Sequence, residues 1–584
     1  MGANNIGVLV LGGLLSVAPA ALNDPPVAPT MGFFLDDWKA KSFEAPDSRE
    51  GKVPGQEGGV PGQAGRVSGQ EGRVPGQEGR MPGQDGTVTV SIDASDVITK
   101  IPPSVYGHNV DSWVTGIATE PVFIQHVKDL GPTVTRWPAG SGSDGYWWDR
   151  APGDPPADVP KAVLDKNGKE KKAFYFYGRP SGARSASLDA YYTMRRETGD
   201  EGLITVNYGY ARYGTGPHPV ETAAHYAADW VRYDHGRTRY WEVGNENYGD
   251  WELGYRIDTT QNKDGQPEFL TGRLYAQHFS VFADSMRRAA AECGATIYIG
   301  AVTAESGPMR WDGPTRRFWN QGMMQELHGA ADFYVVHNYF TAYQKNLSAA
   351  QVLRDADSVP AAQMKYVLDC LAATGAPVRP IAMDEWNMFA AGSKQQVSNI
   401  SGLFADIVIG ETLTNKYGLA CRWDMLNAWA GGNDHGLLSA GDEPGVARWS
   451  PRPSFYYLYF LRKMQGDRLV ATVSADSSIR AYGTTWSSGE VNVTLVNVSP
   501  EAKTVRINGK GYSPGKRYFW YSLEGGDDNG EFSRRVFVNG EGPKAVAGGP
   551  DDYASLPAWS ASTAGGVVVR VPGHGAVCLT IEKR

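Results

Sequence analysis

Eight short runs rich in β-branched, aromatic and other apolar residues recur through the middle of the chain: Ser104–Gly107, Thr133–Trp137, Leu203–Tyr208, Arg239–Gly244, Thr296–Ala301, Asp332–His337, Arg379–Glu385 and Gly418–Asp424. Runs of this length read as strands. The segments between them, such as Leu274–Glu292 and Ala361–Ala373, space their apolar residues along one helical face. Strands and helices in strict alternation predict an α/β chain, and eight such units predict a (β/α)8 TIM barrel. After Pro453 the pattern changes to short alternating strands (Val491–Val496, Thr504–Ile507, Tyr518–Tyr521, Gly566–Val571 and Ala576–Ile581) with Gly, Asn and Ser between them. This predicts a C-terminal antiparallel β-sandwich.

The N-terminal stretch follows neither pattern. Ile6–Val17 is an apolar run ending in Ala18-Pro19-Ala20, a small-residue site of the kind at which a signal peptide is cleaved. A seven-residue repeat then starts at Val53, Val60, Val67, Val74 and Met81. Its glycines and prolines exclude a coiled coil, and its glycine spacing excludes collagen. Glu50–Gly86 therefore reads as a flexible linker. Upstream, Gly32-Phe33-Phe34-Leu35-Asp36-Asp37-Trp38 is too apolar for a linker and is expected to dock on the folded body as a strand. The expected division is a signal peptide over 1–20, an N-terminal segment with linker over 21–86, the barrel over 87–460 and the sandwich over 461–584. The expected location is secreted, periplasmic or at the cell surface. No later segment reaches membrane-spanning length, and four scattered cysteines make no disulfide framework.

Two of the predicted strands end in acids. Tyr240-Trp241-Glu242-Val243-Gly244-Asn245-Glu246 places Glu246 after the fourth, and Ile381-Ala382-Met383-Asp384-Glu385 places Glu385 at the end of the seventh. A barrel gathers the carboxyl ends of its strands at one face, where two carboxyl groups ~5–5.5 Å apart meet the need of a retaining glycosidase for a nucleophile and an acid/base. Glu242, four residues earlier, is expected inside the barrel or paired with a cation. Arg136, His337, Tyr339 and Trp423 also close strands, so they line the same cleft. The loop Tyr146-Trp147-Trp148 is expected at its mouth, with Trp148 stacking on sugar. Gly140-Ser141-Gly142-Ser143-Asp144-Gly145 matches a dinucleotide-binding pattern but runs into this aromatic loop rather than a helix, which excludes that reading.

These segments resemble the barrel-fold clan A of retaining glycoside hydrolases, and within it the family 51 α-L-arabinofuranosidases. Val105-Tyr106-Gly107-His108 is similar to their first-strand segment, Arg136-Trp137-Pro138-Ala139-Gly140 to their Arg-Tyr/Trp-Pro-Gly-Gly stretch, Gly244-Asn245-Glu246 to their Gly-Asn-Glu, and Asp384-Glu385-Trp386-Asn387 to their Asp-Glu-Trp-Asn. The chain departs from them at Ala139, usually glycine, and at Asn109. The resemblance implies Glu246 as acid/base and Glu385 as nucleophile, Asn245 on the sugar 2-hydroxyl, His337 and Tyr339 orienting the nucleophile or the sugar, and Arg136 beneath the nucleophile. Trp386 and Trp423 are expected as subsite walls. Glu385 is expected ionised and Glu246 protonated, its pKa raised by its neighbour and by burial.

Composition narrows the partners. A net charge of -8 offers no basic field for nucleic acid. The 17 tryptophans and 29 tyrosines suit stacking on a neutral polysaccharide, although most such rings belong to cores. No H-E-x-x-H or C-x-x-C occurs, so neither a metal nor another cofactor is implied. The expected function is a secreted, α-L-arabinofuranosidase-like retaining glycoside hydrolase acting on a polysaccharide or oligosaccharide. The alternatives are an endo-β-glycanase of glucanase, xylanase or algal galactan hydrolase type and a non-catalytic glycan-binding protein. The sandwich is read as structural rather than glycan-binding. Oligomeric state is not legible from the chain.

Overall fold

The computed structural model describes residues 24–54, 86–138, 140–179, 185–392, 394–432 and 435–584. The expected signal peptide and nearly all of the seven-residue repeat lie outside the described residues. Eight parallel strands close into a barrel: β1 (Gly107–Asn109), β2 (Val134–Trp137), β3 (Glu201–Val206), β4 (Tyr240–Val243), β5 (Tyr298–Val302), β6 (Phe333–Tyr339), β7 (Ile381–Asn387) and β8 (Leu419–Arg422). Each predicted run supplies one strand, with ends shifted by a few residues. The largest shift is at the first, where Pro103–Tyr106 forms a 3-10 turn and the strand starts at Gly107. Closure comes from the pairing of Cys421 in β8 with Gly107 in β1.

One principal helix follows each strand: α1 (Pro121–Leu130), α2 (Leu188–Thr198), α3 (Pro219–Asp234), α4 (Gly272–Glu292), α5 (Trp319–Glu326), α6 (Ala349–Thr374), α7 (Asn399–Thr414) and α8 (Pro453–Met464). Side chains cap several starts: Ser187, Thr271 and Ser348 each accept a hydrogen bond from the amide three residues on. α6 starts earlier than its predicted segment and runs through Pro360, whose carbonyl accepts a bond from the Tyr417 hydroxyl. Packing of its apolar face outweighs the lost backbone bond of the proline.

Alternation along the strands stacks the barrel interior in layers. The lower layer is apolar and includes Val134, Leu203, Tyr240, Phe333, Val335, Ala382, Leu419 and Cys421. Two residues further along the same strands, Arg136, Thr205, Glu242, His337 and Asp384 form a buried polar layer. The N-terminal segment seals the bottom. It docks not as a strand but as a 3-10 turn over Gly32–Leu35, and Phe34 is buried among Tyr240 (4.9 Å) and Phe333 (5.7 Å). Phe34 lies so close to Gly418 that a Cβ there would come within 2.3 Å of the ring, so this approach requires glycine.

The second domain is one mixed sheet of 11 strands, into which the C-terminal strands expected from sequence all fall. Thr87–Lys100, expected within the barrel region, belongs to this sheet, pairing with Arg468–Ser474 and Lys503–Lys510. Ser48–Glu50 adds a parallel edge to Ala558–Ser562. Among the described residues no helix is long and apolar enough to cross a membrane.

Candidate active site

β4 and β7 deliver the two glutamates by different devices. After β4 the backbone turns sharply at Gly244 (φ 79°), and Glu246 itself takes a left-handed φ of 42°. For a residue with a Cβ this conformation costs on the order of 1–2 kcal/mol, so the surroundings hold it in place. In β7 the register shifts against both neighbours: Ala382 to Glu385 faces Val335 to His337 of β6, and Met383 to Trp386 faces Ala420 to Arg422 of β8, so β7 carries an extra residue there. Such irregularities re-aim side chains, and here Asp384 and Glu385 both point to the barrel axis. Glu246, His337 and Glu385 then present donor atoms within 4.8 Å of one another.

Arg136, at the end of β2 and 1 % exposed, is the hub beneath them. Its guanidinium reaches Glu242 at 3.0 Å, Asp384 at 3.3 Å and Glu385 at 3.1 Å, and donates to Asn245 Oδ1 at 2.8 Å and Asn109 Oδ1 at 3.0 Å. Glu242 thus lies inside the barrel, paired with a cation. His337 bridges the acids from the other side: Nδ1 lies 3.0 Å from Glu246 and 3.5 Å from Glu385, and Nε2 lies 3.1 Å from Asp384. The Tyr339 hydroxyl donates to Glu385 Oε1 at 2.5 Å.

Two cations thus face four carboxyl groups in a buried site. Burial, with Asp384 beside it, pushes Glu242 up to about 7 against the pull of Arg136. Burial also raises Glu385, opposed by His337 and Arg136. For His337, burial would depress the imidazole, but Glu385, Asp384 and Glu246 prevail and hold it well above its ordinary value. Glu246 corrects the expectation of a raised pKa. Burial acts upward, but the hydrogen bond and charge of His337, with the Trp251 indole N–H at 3.1 Å, hold it below the ordinary carboxylate value. The two shifts, downward for Glu246 and upward for His337, favour the proton of their shared contact on His337.

Behind Asn245 lies a second acidic group absent from the sequence-based set. Glu252 accepts from Asn245 Nδ2 at 3.1 Å and from the Ser141 hydroxyl at 2.6 Å, and Asp144 accepts from Asn247 Nδ2 at 2.7 Å and the Gly209 amide at 3.0 Å. Burial holds Glu252 well above its ordinary value and Asp144 at about 8. Ser141–Gly145 is a 3-10 turn leading into a strand, Tyr146–Trp147, so the glycine-rich motif braces this loop rather than opening a helix. Trp251 and Glu252 carried one signal: Glu246, Asp250, Trp251 and Glu252 crowd within seven residues after a strand.

The cleft above these residues, about 900 Å³, is lined by Asn245, Glu246, His337, Tyr339, Glu385 and Trp423, among others. Two expected sugar contacts are elsewhere. Trp386 points outward from β7 and is buried near Phe404 of α7, because strand alternation turns it away from its inward neighbour. Trp148 is buried against α3, stacked on Trp230 at 6.0 Å and donating to the Tyr226 carbonyl at 3.2 Å. Its amphipathic ring is satisfied by the core. Two clusters offer metal-type donors, Glu242 with His337 and Asp384, and Glu246 with His337 and Glu385. Arg136 already supplies a cation to both, at Glu242 and Asp384 in the first and at Glu385 in the second.

A (β/α)8 barrel carrying paired acids at the ends of β4 and β7, with a β-rich second domain, has the architecture of the barrel glycoside hydrolases that the motifs resemble. Solved structures share it over most of the chain. The family 51 α-L-arabinofuranosidase of Thermotoga petrophila aligns with 85% of this chain and all of its own (TM-score 0.56, 18% identity). A bifunctional glucanase-xylanase from a metagenome library aligns with 86% of this chain and all of its own (TM-score 0.55, 13% identity). The family 44 xyloglucanase of Paenibacillus polymyxa covers 85% of this chain and all of its own (TM-score 0.53, 11% identity). At these identities the likeness is one of fold. No family model matches the sequence, and no curated protein matches it.

Proposed function

We propose that this chain is a retaining glycoside hydrolase. The observation that carries the reading is the approach of Glu246 and Glu385, with donor atoms within 4.8 Å of each other at the floor of an open cleft. Glu385 attacks the anomeric carbon while the bond to the leaving oxygen breaks, giving a covalent glycosyl–enzyme ester. The leaving oxygen takes a proton from Glu246, which draws it from His337 along their 3.0 Å contact. Esterification removes the charge of Glu385, and Glu246, again an anion, takes a proton from the water that attacks the anomeric carbon as its bond to Glu385 breaks and the Glu385 carboxylate is released. Arg136 and Tyr339 hold the Glu385 carboxylate from below and from the side. Asn245, fixed between Arg136 and Glu252, offers its amide to the sugar 2-hydroxyl.

An α-L-arabinofuranosyl glycoside is the first substrate to test, given the family 51 motifs, and polysaccharide outside the cell is the setting that an exported chain implies. The rival is a glycan-binding barrel, which gains nothing from two acids held together against their repulsion. The deciding experiment is hydrolysis of an aryl glycoside and polysaccharide panel by wild type, Glu385→Ala and Glu246→Ala. Loss of activity by at least about 10⁴-fold in Glu385→Ala, with azide restoring turnover of an activated substrate and yielding a glycosyl azide in Glu246→Ala, is the expected result. Full activity in either variant sinks the assignment.

A further inference from the structure

The exposed aromatic rings around the cleft go beyond the needs of a single sugar. Trp251, 54 % exposed, donates to Glu246 and so stands on the leaving-group side of the acid pair. Its ring folds over Gly249, where a Cβ would lie 2.4 Å away. Trp311, in the loop after β5, is 82 % exposed. Across the loops after β6 and β7, Tyr343, 70 % exposed, stacks on Phe389 at 4.6 Å and 16°. All four rings line the cleft that holds Glu246 and Glu385. A protein leaves large aromatic faces in water at a cost, and several of them lining the cleft of a reaction centre offer a stacking surface for a ligand longer than the centre itself. The volume, about 900 Å³, lies at the upper end of the range of roughly 300–1,000 Å³ for ligand sites.

The charges of the lining define the ligand further. Its lysine and arginine are already matched: Lys166 with Asp250 at 3.1 Å and Arg316 with Glu305 at 2.9 Å. Asp312 and the acid pair add negative charge. An anionic glycan would meet carboxylates with no unmatched lysine or arginine among the described lining residues to receive it, whereas hydroxyl-bearing rings meet aromatic faces and polar donors.

Resting on the glycosidase reading, we propose that the cleft binds an uncharged polysaccharide chain on both sides of the acid pair and cleaves it at internal bonds. Trp251 and Trp311 hold the leaving portion, and Tyr343 with Phe389 lies at the loops on the side of the nucleophile. The cut consumes one water per glycosidic bond and releases two shorter chains, one with a new reducing end.

The test follows viscosity and reducing ends together on neutral arabinan, xylan, β-glucan and agarose, with polygalacturonate and carrageenan as anionic counterparts. Wild type is compared with Trp311→Ala, whose exposed side chain leaves folding intact. Viscosity should fall well ahead of reducing-end release on a neutral polymer, with oligosaccharides as early products. Trp311→Ala should lose about tenfold more kcat/KM on that polymer than on an aryl monoglycoside. Monosaccharide as the sole early product, equal loss on both substrates, or preference for an anionic polymer overturns internal cleavage of a neutral chain and leaves the glycosidase reading standing. Absence of any glycoside cleavage, or activity surviving Glu385→Ala, overturns both.

Discussion

Arg136 shows how a single residue sets the charge state of the whole floor. It is buried with Glu242, Asp384 and Glu385 around it, and removing it leaves those acids without their common cation. Arg136→Met is therefore expected to cost about 3–5 kcal/mol, read as a lowered urea midpoint at pH 7. Unchanged stability would mean that the acids are protonated without it. His337 gives a pH-dependent counterpart. Its folded pKa lies well above the unfolded value near 6.5, so the folded state holds the extra proton and the imidazolium stabilises the fold fully below that pH. That contribution fades as pH rises through the folded value. The stability gap between wild type and His337→Asn should be widest at pH 6 and narrow steadily above pH 7, and a gap constant with pH contradicts the assigned proton. Arg136, His337, Tyr339 and both glutamates were legible because they close predicted strands. Trp251, Glu252 and Asp144 were not, since they reach the site through loops whose path depends on tertiary contacts. Trp386 was misread although alternation alone sets it opposite its inward neighbour.

At the level of elements, the eight barrel strands were legible because each is a short apolar run between polar or glycine-containing segments, the pattern of strands buried on both faces. The irregularity in β7 was not, since an extra residue in a strand buried along its whole length leaves no mark in the hydrophobic pattern. The Gly32–Leu35 turn was read correctly as a docking element and wrongly as a strand. Its two adjacent phenylalanines need no period-two alternation when both reach the barrel bottom, Phe34 inside and Phe33 stacked on Tyr298 at 3.8 Å. Phe34→Ala should leave a cavity beneath the lower layer and cost about 3–5 kcal/mol. The site lies at the opposite end of the strands, so kcat/KM well below Tm should change less than twofold. A large loss of activity in a still-folded variant would mean that the plug sets the geometry of the polar layer.

The whole molecule is joined through α7, which is buried along nearly its full length. Barrel helices share one core with Val496, Phe519, Tyr521, Leu523, Ala576 and Cys578 of the sheet domain. Asn399 at the start of α7 donates to the His574 carbonyl at 2.8 Å and accepts from the Tyr457 hydroxyl at 2.5 Å. A shared core of this kind predicts one cooperative unfolding transition for the two domains. Asp406 probes that junction, because it sits on α7 with Tyr457 of α8 and Cys578 of the sheet within its electrostatic reach. Burial alone raises its pKa well above the ordinary value, so it is folded in as the neutral acid. Unfolding returns it to a carboxyl with pKa near 3.9, which sheds its proton at any higher pH. The unfolded state then binds fewer protons, and stability falls as pH rises from about 4 toward the folded pKa, by about 1.4 kcal/mol per pH unit. Asp406→Asn keeps the shape without the titration. Its stability should match wild type near pH 4 and exceed it increasingly as pH rises toward the folded pKa, seen as a rising difference in urea midpoint within a single transition. A difference that does not grow with pH would show Asp406 to be ionised in the fold, and two resolved transitions would show the barrel and the sheet to unfold apart.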